Sequence, residues 1–346
     1  MMEPGPLKGL LIGAPYASLA FLCAVPCTWL SLKFLRNKQI LDHPNGRSSH
    51  TLPTPRGGGI GFVAVVLAFL IVSITVSPSV QGMALLAGVM LIAAISFADD
   101  MKPVALSIRL AAHVIAVTLV LATLPDTIRL VPGWMPMLVE RAIIGFGWVW
   151  FINLFNFMDG IDGLAGSEAV AICVGIMVLA GFAPAFLGPA VHAAPIAGAV
   201  LAFLLFNWPP AKLFMGDIGS VTLGFLLGYV LILTALQGGL AAAILLPLYF
   251  CLDATVTLAR RALRGAKLGE AHRDHAYQRA VVRGASHAKI VTIVTMLNLA
   301  LIALAAWSLF QPLLAVAAGV VLTIACYLAL LLRVGAPARS GASSQP

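Results

Sequence analysis

The stretch FINLFNFMDGIDGLAG, residues 151–166, sets two aspartates, Asp159 and Asp162, each before a glycine, between long apolar runs. A soluble helix would scatter charge along one face, whereas here the charge is confined to the break between two greasy segments. The same pattern recurs along the chain. It has 346 residues, 61% of them hydrophobic and 10% charged, too few charges to cover a soluble protein of this length. Apolar runs of about 20 residues match the ~30 Å hydrocarbon core of a bilayer. Closed barrels need sustained alternation of polar and apolar residues, and none is present. The fold class expected is an all-α polytopic membrane protein.

About eleven transmembrane helices are predicted, at 10–32, 57–77, 82–98, 106–125, 140–156, 165–185, 188–206, 220–236, 239–258, 289–308 and 312–332. The first run lacks a basic leader and a small-residue cleavage site, which predicts a retained helix. Little sequence lies outside spans and short loops, so residues 1–346 are read as one membrane domain without an internal repeat. With the N-terminus outside and the C-terminus cytoplasmic, 18 of the 21 lysines and arginines fall in cytoplasmic loops. The net charge of +8 is thus one-sided. A basic inner surface attracts lipid headgroups and phosphate-bearing substrates, and gives no reason to propose nucleic acid. The five cysteines sit in apolar runs and are expected to be small buried residues rather than redox or metal groups.

On this topology the acids gather on one membrane face. Asp99 and Asp100 end the third span, Asp159 and Asp162 follow the fifth, and Asp217 lies in the loop after the seventh. Solvated loop ends would explain any single pair, but not three groups on the same side. Clustered carboxylates repel unless a cation joins them. Mg²⁺ suits the pattern, since it is usually held by one or two carboxylates plus waters and substrate phosphates. Asn153 and Asn156 share a helix face just inside the boundary; amides there serve either a phosphate or sugar, or a neighbouring helix. Arg56 precedes a glycine-rich entry to the second helix, where free N–H groups favour anions and close packing is the competing explanation. In GEAHRDHAYQR, residues 269–279, His272 and His275 stand beside Arg273 and Arg279. No cysteine or third histidine is near and HExxH is absent, so contacts to phosphate oxygens fit better than zinc.

Together, RSSHTLPTPRGGGIGF (47–62), FADDMKP (97–103), NLFNFMDGIDGLAG (153–166), FNWPPAKLFMGDIGS (206–220) and HRDHAYQR (272–279) resemble the polyprenyl-phosphate N-acetylhexosamine-1-phosphate transferases of glycosyltransferase family 4. The resemblance spans a core of about 41–283. It implies transfer of an N-acetylhexosamine-1-phosphate group from a UDP-sugar to undecaprenyl phosphate with release of UMP. The setting implied is the cytoplasmic face of the bacterial inner membrane. Asp217 matches the main Mg²⁺ ligand, with Asp100 as a second and Mn²⁺ as the alternative ion. Asp99 and Asp100 match the paired aspartates tied to catalysis and to the acceptor phosphate. Asn156, Asp159 and Asp162 match positions around the nucleotide-sugar and metal, Phe214 an aromatic that stacks on uracil, and His272 and His275 a histidine motif near the phosphates. Arg56, Asn153 and Arg279 complete the substrate-binding set. Two departures stand out: HxxH replaces consecutive histidines, and Lys102 is displaced relative to the family's lysine. The first looks more like the branch that starts O-antigen or other envelope polysaccharides, with UDP-GlcNAc, UDP-FucNAc or UDP-QuiNAc as donor, than like the peptidoglycan enzyme. A homodimer is the expected assembly. One-step attack and a route through an aspartyl-phosphate both stand. A secondary transporter is the rival, but transporters place acids near the midplane and use paired repeats.

Overall fold

A computed structural model describes residues 5–42, 53–266 and 272–332. Parts of the first and last motif segments, at 43–52 and 267–271, and the Gly/Ser/Pro-rich tail beyond 332 lie outside the described residues.

The chain is a bundle of helices: α1 (Pro6–Asn37), α2 (Gly59–Val76), α3 (Val80–Met101), α4 (Leu106–Leu121), α5 (Met137–Phe157), α6 (Leu164–Phe182), α7 (Leu187–Asn207), α8 (Asp217–Thr234), α9 (Leu240–Leu245), α10 (Leu248–Leu263), α11 (Ala276–Val282), α12 (His287–Trp307) and α13 (Pro312–Leu332). A two-residue pair, β1 (Leu41–Asp42) and β2 (Thr54–Pro55), joins α1 to α2. Local chemistry sets several boundaries. Ser79 and Ser286 cap α3 and α12 by accepting from Gly82 and Lys289 N–H. Gly163, at φ 77°, turns the chain into α6.

Among the described residues nine segments are long and apolar enough to cross a membrane, and Leu106–Leu121 is a shorter apolar helix. The boundary expected between the eighth and ninth spans, at 237–238, is present, and the ninth span departs from a continuous helix. The apolar segment Asp217–Leu245 is interrupted at Gln237 and Gly238, the latter at φ 89°. The ninth is then split at Pro247, between α9 and α10. Proline removes a backbone donor and clashes with the preceding turn, and in a membrane such breaks persist where neighbouring helices cover them. The chain reverses at Gly238, because Asp217 and the α10 residue Asp253 both reach loops at the same end of the bundle.

α8 lies at the centre, buried along most of its length. Trp148 of α5 stacks on Phe225 of α8 at 4.9 Å between centroids and donates to its carbonyl. Small residues allow the closest helix contacts: a Cβ on Gly198 of α7 would overlap the Ala17 backbone of α1. Buried Glu168 of α6 accepts from Asn298 of α12 at 2.7 Å, joining two helices by a polar pair. The cysteines are unpaired. Cys173 is buried as expected, but Cys23 is exposed on the outward face of α1, where apolar surface faces lipid.

Candidate active site

Loops from distant parts of the sequence meet at one end of the bundle. The segment after β2 pairs with the loop before α8: Phe214 N–H donates to Pro55, and Arg56 bridges to Phe214. Gly58 and Gly59, at the start of α2, donate to the carbonyls of Phe214 and Met215, both at 2.8 Å. Those N–H groups were candidates to hold an anion; they are instead engaged by this loop, and Gly59 packs against Gly219.

The strand-like pairing fixes the Arg56 backbone and aims its side chain across the loops. Its Nε donates to Asp100 at 2.9 Å and its Nη2 to Asp217 at 2.8 Å. Asp100, at the end of α3, has a fully buried side chain. It accepts from the backbone N–H of Asp217 at 2.9 Å and of Ile218 at 3.0 Å, so it caps α8 from another helix. Gly216, at φ 72°, makes this approach possible: a Cβ there would lie 2.6 Å from the Asp100 carboxylate and 2.8 Å from the Gly57 backbone. Asp99 accepts from Val104 N–H and from Arg109 of α4, both at 2.6 Å. Arg109 also reaches Asp217, at 3.4 Å.

Asp159 is partly buried beside this group and receives no hydrogen bond among the described residues. Burial, followed by the nearby Asp217 charge, pushes its carboxyl well above the usual carboxylate range, with Arg56 opposing. Four carboxylates, Asp99, Asp100, Asp159 and Asp217, therefore face two guanidinium groups, a formal excess of two negative charges.

Other expected site residues hold the walls. Asp162 accepts from Ala211 N–H at 3.0 Å and lies 3.2 Å from His287, tying its loop to α12. Asn156 donates to Ser220 of α8, while Asn153 donates to Val149 of its own helix and lies 3.5 Å from His113 of α4. Their amides thus join helices, one of the two uses expected of them. Phe214 is half-buried in the paired loop. Lys102 is exposed at the end of α3.

The histidine segment is braced by α10. Asp253 accepts from Ala276 N–H at 3.0 Å and lies 3.5 Å from the buried His275. Arg261 pairs with Asp274 at 2.7 Å and holds it below the usual carboxylate range. Burial, then His275, lower His272 to about 4. Arg279 is exposed. Tyr277 donates to the carbonyl of Phe157, linking the histidine segment to the Asp159 loop. A Cβ on Gly160 would overlap the Tyr277 hydroxyl. Gly160→Ala should therefore separate the two loops and cut turnover about 10- to 100-fold at near-normal thermal stability, since 1 Å misplacements cost this much. Full activity of that variant would disconnect the loop junction from the chemistry.

Arg109 lies outside the sequence motifs, and Asn207 and Ser220 lie inside FNWPPAKLFMGDIGS without a role assigned to them from sequence. Buried Asn207 accepts from Gly163 N–H and donates to the Leu213 carbonyl, both at 2.9 Å, and so joins the two acidic loops. Arg109 carried a usable signal: a lone cation near the start of an apolar helix usually has an ionic partner.

Among the described residues no three His, Cys, Asp or Glu side chains form a metal cage. Mg²⁺ needs no such cage, since it is usually held by one or two carboxylates and completes its shell from water and phosphate. The donor set, hard oxygens in charge excess with Asp159 lacking a partner, fits such an ion.

The sequence model of glycosyl transferase family 4 matches residues 82–235, from α3 into α8. The chain is 25% identical over 275 residues to the probable undecaprenyl-phosphate N-acetylglucosaminyl 1-phosphate transferase of Bacillus subtilis, covering 75% of this chain and 74% of that protein. It is 31% identical over 245 residues to the decaprenyl-phosphate N-acetylglucosaminephosphotransferase of Mycolicibacterium smegmatis, covering 62% and 60%. It is also 31% identical over 242 residues to the phospho-N-acetylmuramoyl-pentapeptide-transferase of Shouchella clausii, covering 63% and 74%. The multi-pass helical fold and these matches agree, and the chain belongs to glycosyl transferase family 4.

Proposed function

We propose that this protein transfers N-acetylhexosamine-1-phosphate from a UDP-sugar to undecaprenyl phosphate, releasing UMP, at the cytoplasmic face of the bacterial inner membrane. The observation that carries the reading is the meeting of Asp99, Asp100 and Asp217 with Arg56 and Arg109 at one end of a membrane bundle, with Asp159 within electrostatic reach. The printed names of the relatives, which are polyprenyl-phosphate aminosugar-phosphate transferases and a peptidoglycan counterpart, support the same reaction class. O-antigen or another envelope polysaccharide is the product this step would begin.

An oxygen of the lipid phosphate attacks the phosphorus that bears the sugar. The bond from that phosphorus to the UMP oxygen breaks, and UMP leaves with the electron pair. Such chemistry depends mainly on positioning and electrostatics. Asp217 and Asp159 would hold Mg²⁺ or Mn²⁺, which would supply charge neutralisation at the diphosphate; Asp100, expected as the second ligand, has both oxygens engaged by Arg56 and the α8 backbone. Asp100 fixes Asp217 through its backbone N–H and through Arg56. Asp99, tied to Val104 and Arg109, borders the acceptor phosphate and orients it. Asp100 is fully buried and both of its oxygens receive hydrogen bonds, which disfavours a covalent aspartyl-phosphate there and supports direct attack. Phe214 and the histidine segment flank the nucleotide and the phosphates. The acids at this site lie at helix ends, which disfavours a transporter.

Purified protein given UDP-GlcNAc, UDP-FucNAc or UDP-QuiNAc with Mg²⁺ should release UMP only when undecaprenyl phosphate is present. Failure of every UDP-N-acetylhexosamine would remove this function.

A further inference from the structure

Both oxygens of Asp217 are already covered by protein cations, and unequally. Oδ1 receives Arg56 at 2.8 Å, whereas Oδ2 receives Arg109 at 3.4 Å. Arg56 is fixed twice: its backbone bridges to Phe214, and its Nε is held by buried Asp100. Arg109 is not fixed in that way. It stands on the first turn of α4, with its short bond, 2.6 Å, made to Asp99. Its Nε is buried and finds no acceptor among the described residues. A charged donor left without a partner is a costly arrangement unless something else supplies an acceptor.

A divalent ion at Asp217 Oδ2 and the Arg109 guanidinium would repel each other across a few ångströms. Loosening the 3.4 Å contact is the easier way to admit the ion, because hydrogen bonds weaken steeply at such lengths. We infer that Arg109 is an internal counter-cation: it covers the second oxygen of Asp217 until a divalent ion takes that place, and then turns its free N–H groups to the anionic diphosphate. Its bond to Asp99 is the pivot. The inference rests on reading Asp217 as a ligand of the ion. It makes Arg109 a competitor for the ion and a partner for the substrate, two roles with opposite effects when the residue is neutralised.

Mn²⁺ is the probe. The full chain in detergent, without substrates, is titrated while free Mn²⁺ is followed by electron paramagnetic resonance. Arg109→Met and Arg109→Gln should each bind Mn²⁺ about tenfold more tightly than the unaltered protein, since a unit charge a few ångströms away is removed. Arg109→Lys keeps the charge and should stay within about threefold. Asp217→Asn should weaken binding by more than about tenfold. A role of Arg109 in packing alone would not tighten metal binding. If both neutral variants bind Mn²⁺ no more tightly while Asp217→Asn loses it, the counter-cation role is overturned and the site reading survives. If Asp217→Asn binds Mn²⁺ like the unaltered protein, the site reading fails and the Arg109 role fails with it.

Discussion

Asp217→Asn should lower UMP release by about 10³-fold or more while leaving the helix bundle intact. Asparagine keeps the shape of the side chain, and the backbone N–H at this position still donates to Asp100, so α8 keeps its start. The amide oxygen can still accept from Arg56. The amide nitrogen, however, is a donor facing the Arg109 donor, and the charge that would draw a divalent ion is gone. The comparison to make is UMP release at saturating UDP-sugar and lipid phosphate beside melting of the same detergent preparation. Activity above about a tenth of normal would show that Asp217 does not supply transition-state charge stabilisation of the size expected for such a group.

Asp100→Ala should act through structure first. The side chain is fully buried, with Arg56 on one oxygen and two backbone donors of α8 shared between both. Removing one partner of a buried ion pair typically costs about 3–5 kcal/mol. Arg56 is 40% exposed at its side chain and retains Asp217, so the lower part of that range applies to the pair. The orphaned N–H groups add about 1–3 kcal/mol each where water cannot reach them. The variant should therefore melt well below Asp99→Ala, whose lost carboxylate is 11% exposed and does not hold a helix end. Equal melting of the two would mean that capping by Asp100 contributes little to the bundle.

Much of the architecture is legible because a bilayer imposes simple demands. Apolar length gave the helices, and lysine and arginine placement gathered the acids on one side. The split in the ninth span was hidden because hydropathy runs on through Pro247, and hydropathy does not register a turn covered by neighbouring helices. The convergence of Asp99, Asp100, Asp159 and Asp217 could be expected from their placement on one membrane face and from motif resemblance. Which of them caps and which faces ligand could not. Asp100 and the α8 backbone it holds are 117 residues apart, and no local spacing rule spans that distance. Arg109 carries no local motif, since its two carboxylate partners come from α3 and α8. Gly58 and Gly59 illustrate the same limit: glycine-rich helix entries look ready for an anion until the carbonyls that meet them are known.

The cap on α8 has an electrical corollary. A helix macrodipole gives its first turn a positive pole that often draws phosphate, and here a resident carboxylate already quenches it. α3 contributes the opposite pole, with Asp99 and Asp100 in its final turn deepening the negative potential. An incoming pyrophosphate thus meets an electronegative threshold at α8, whose own pole is already taken. On the proposed function, donor capture would depend on counterions already seated there, so UMP release should rise and fall with the free divalent-ion level.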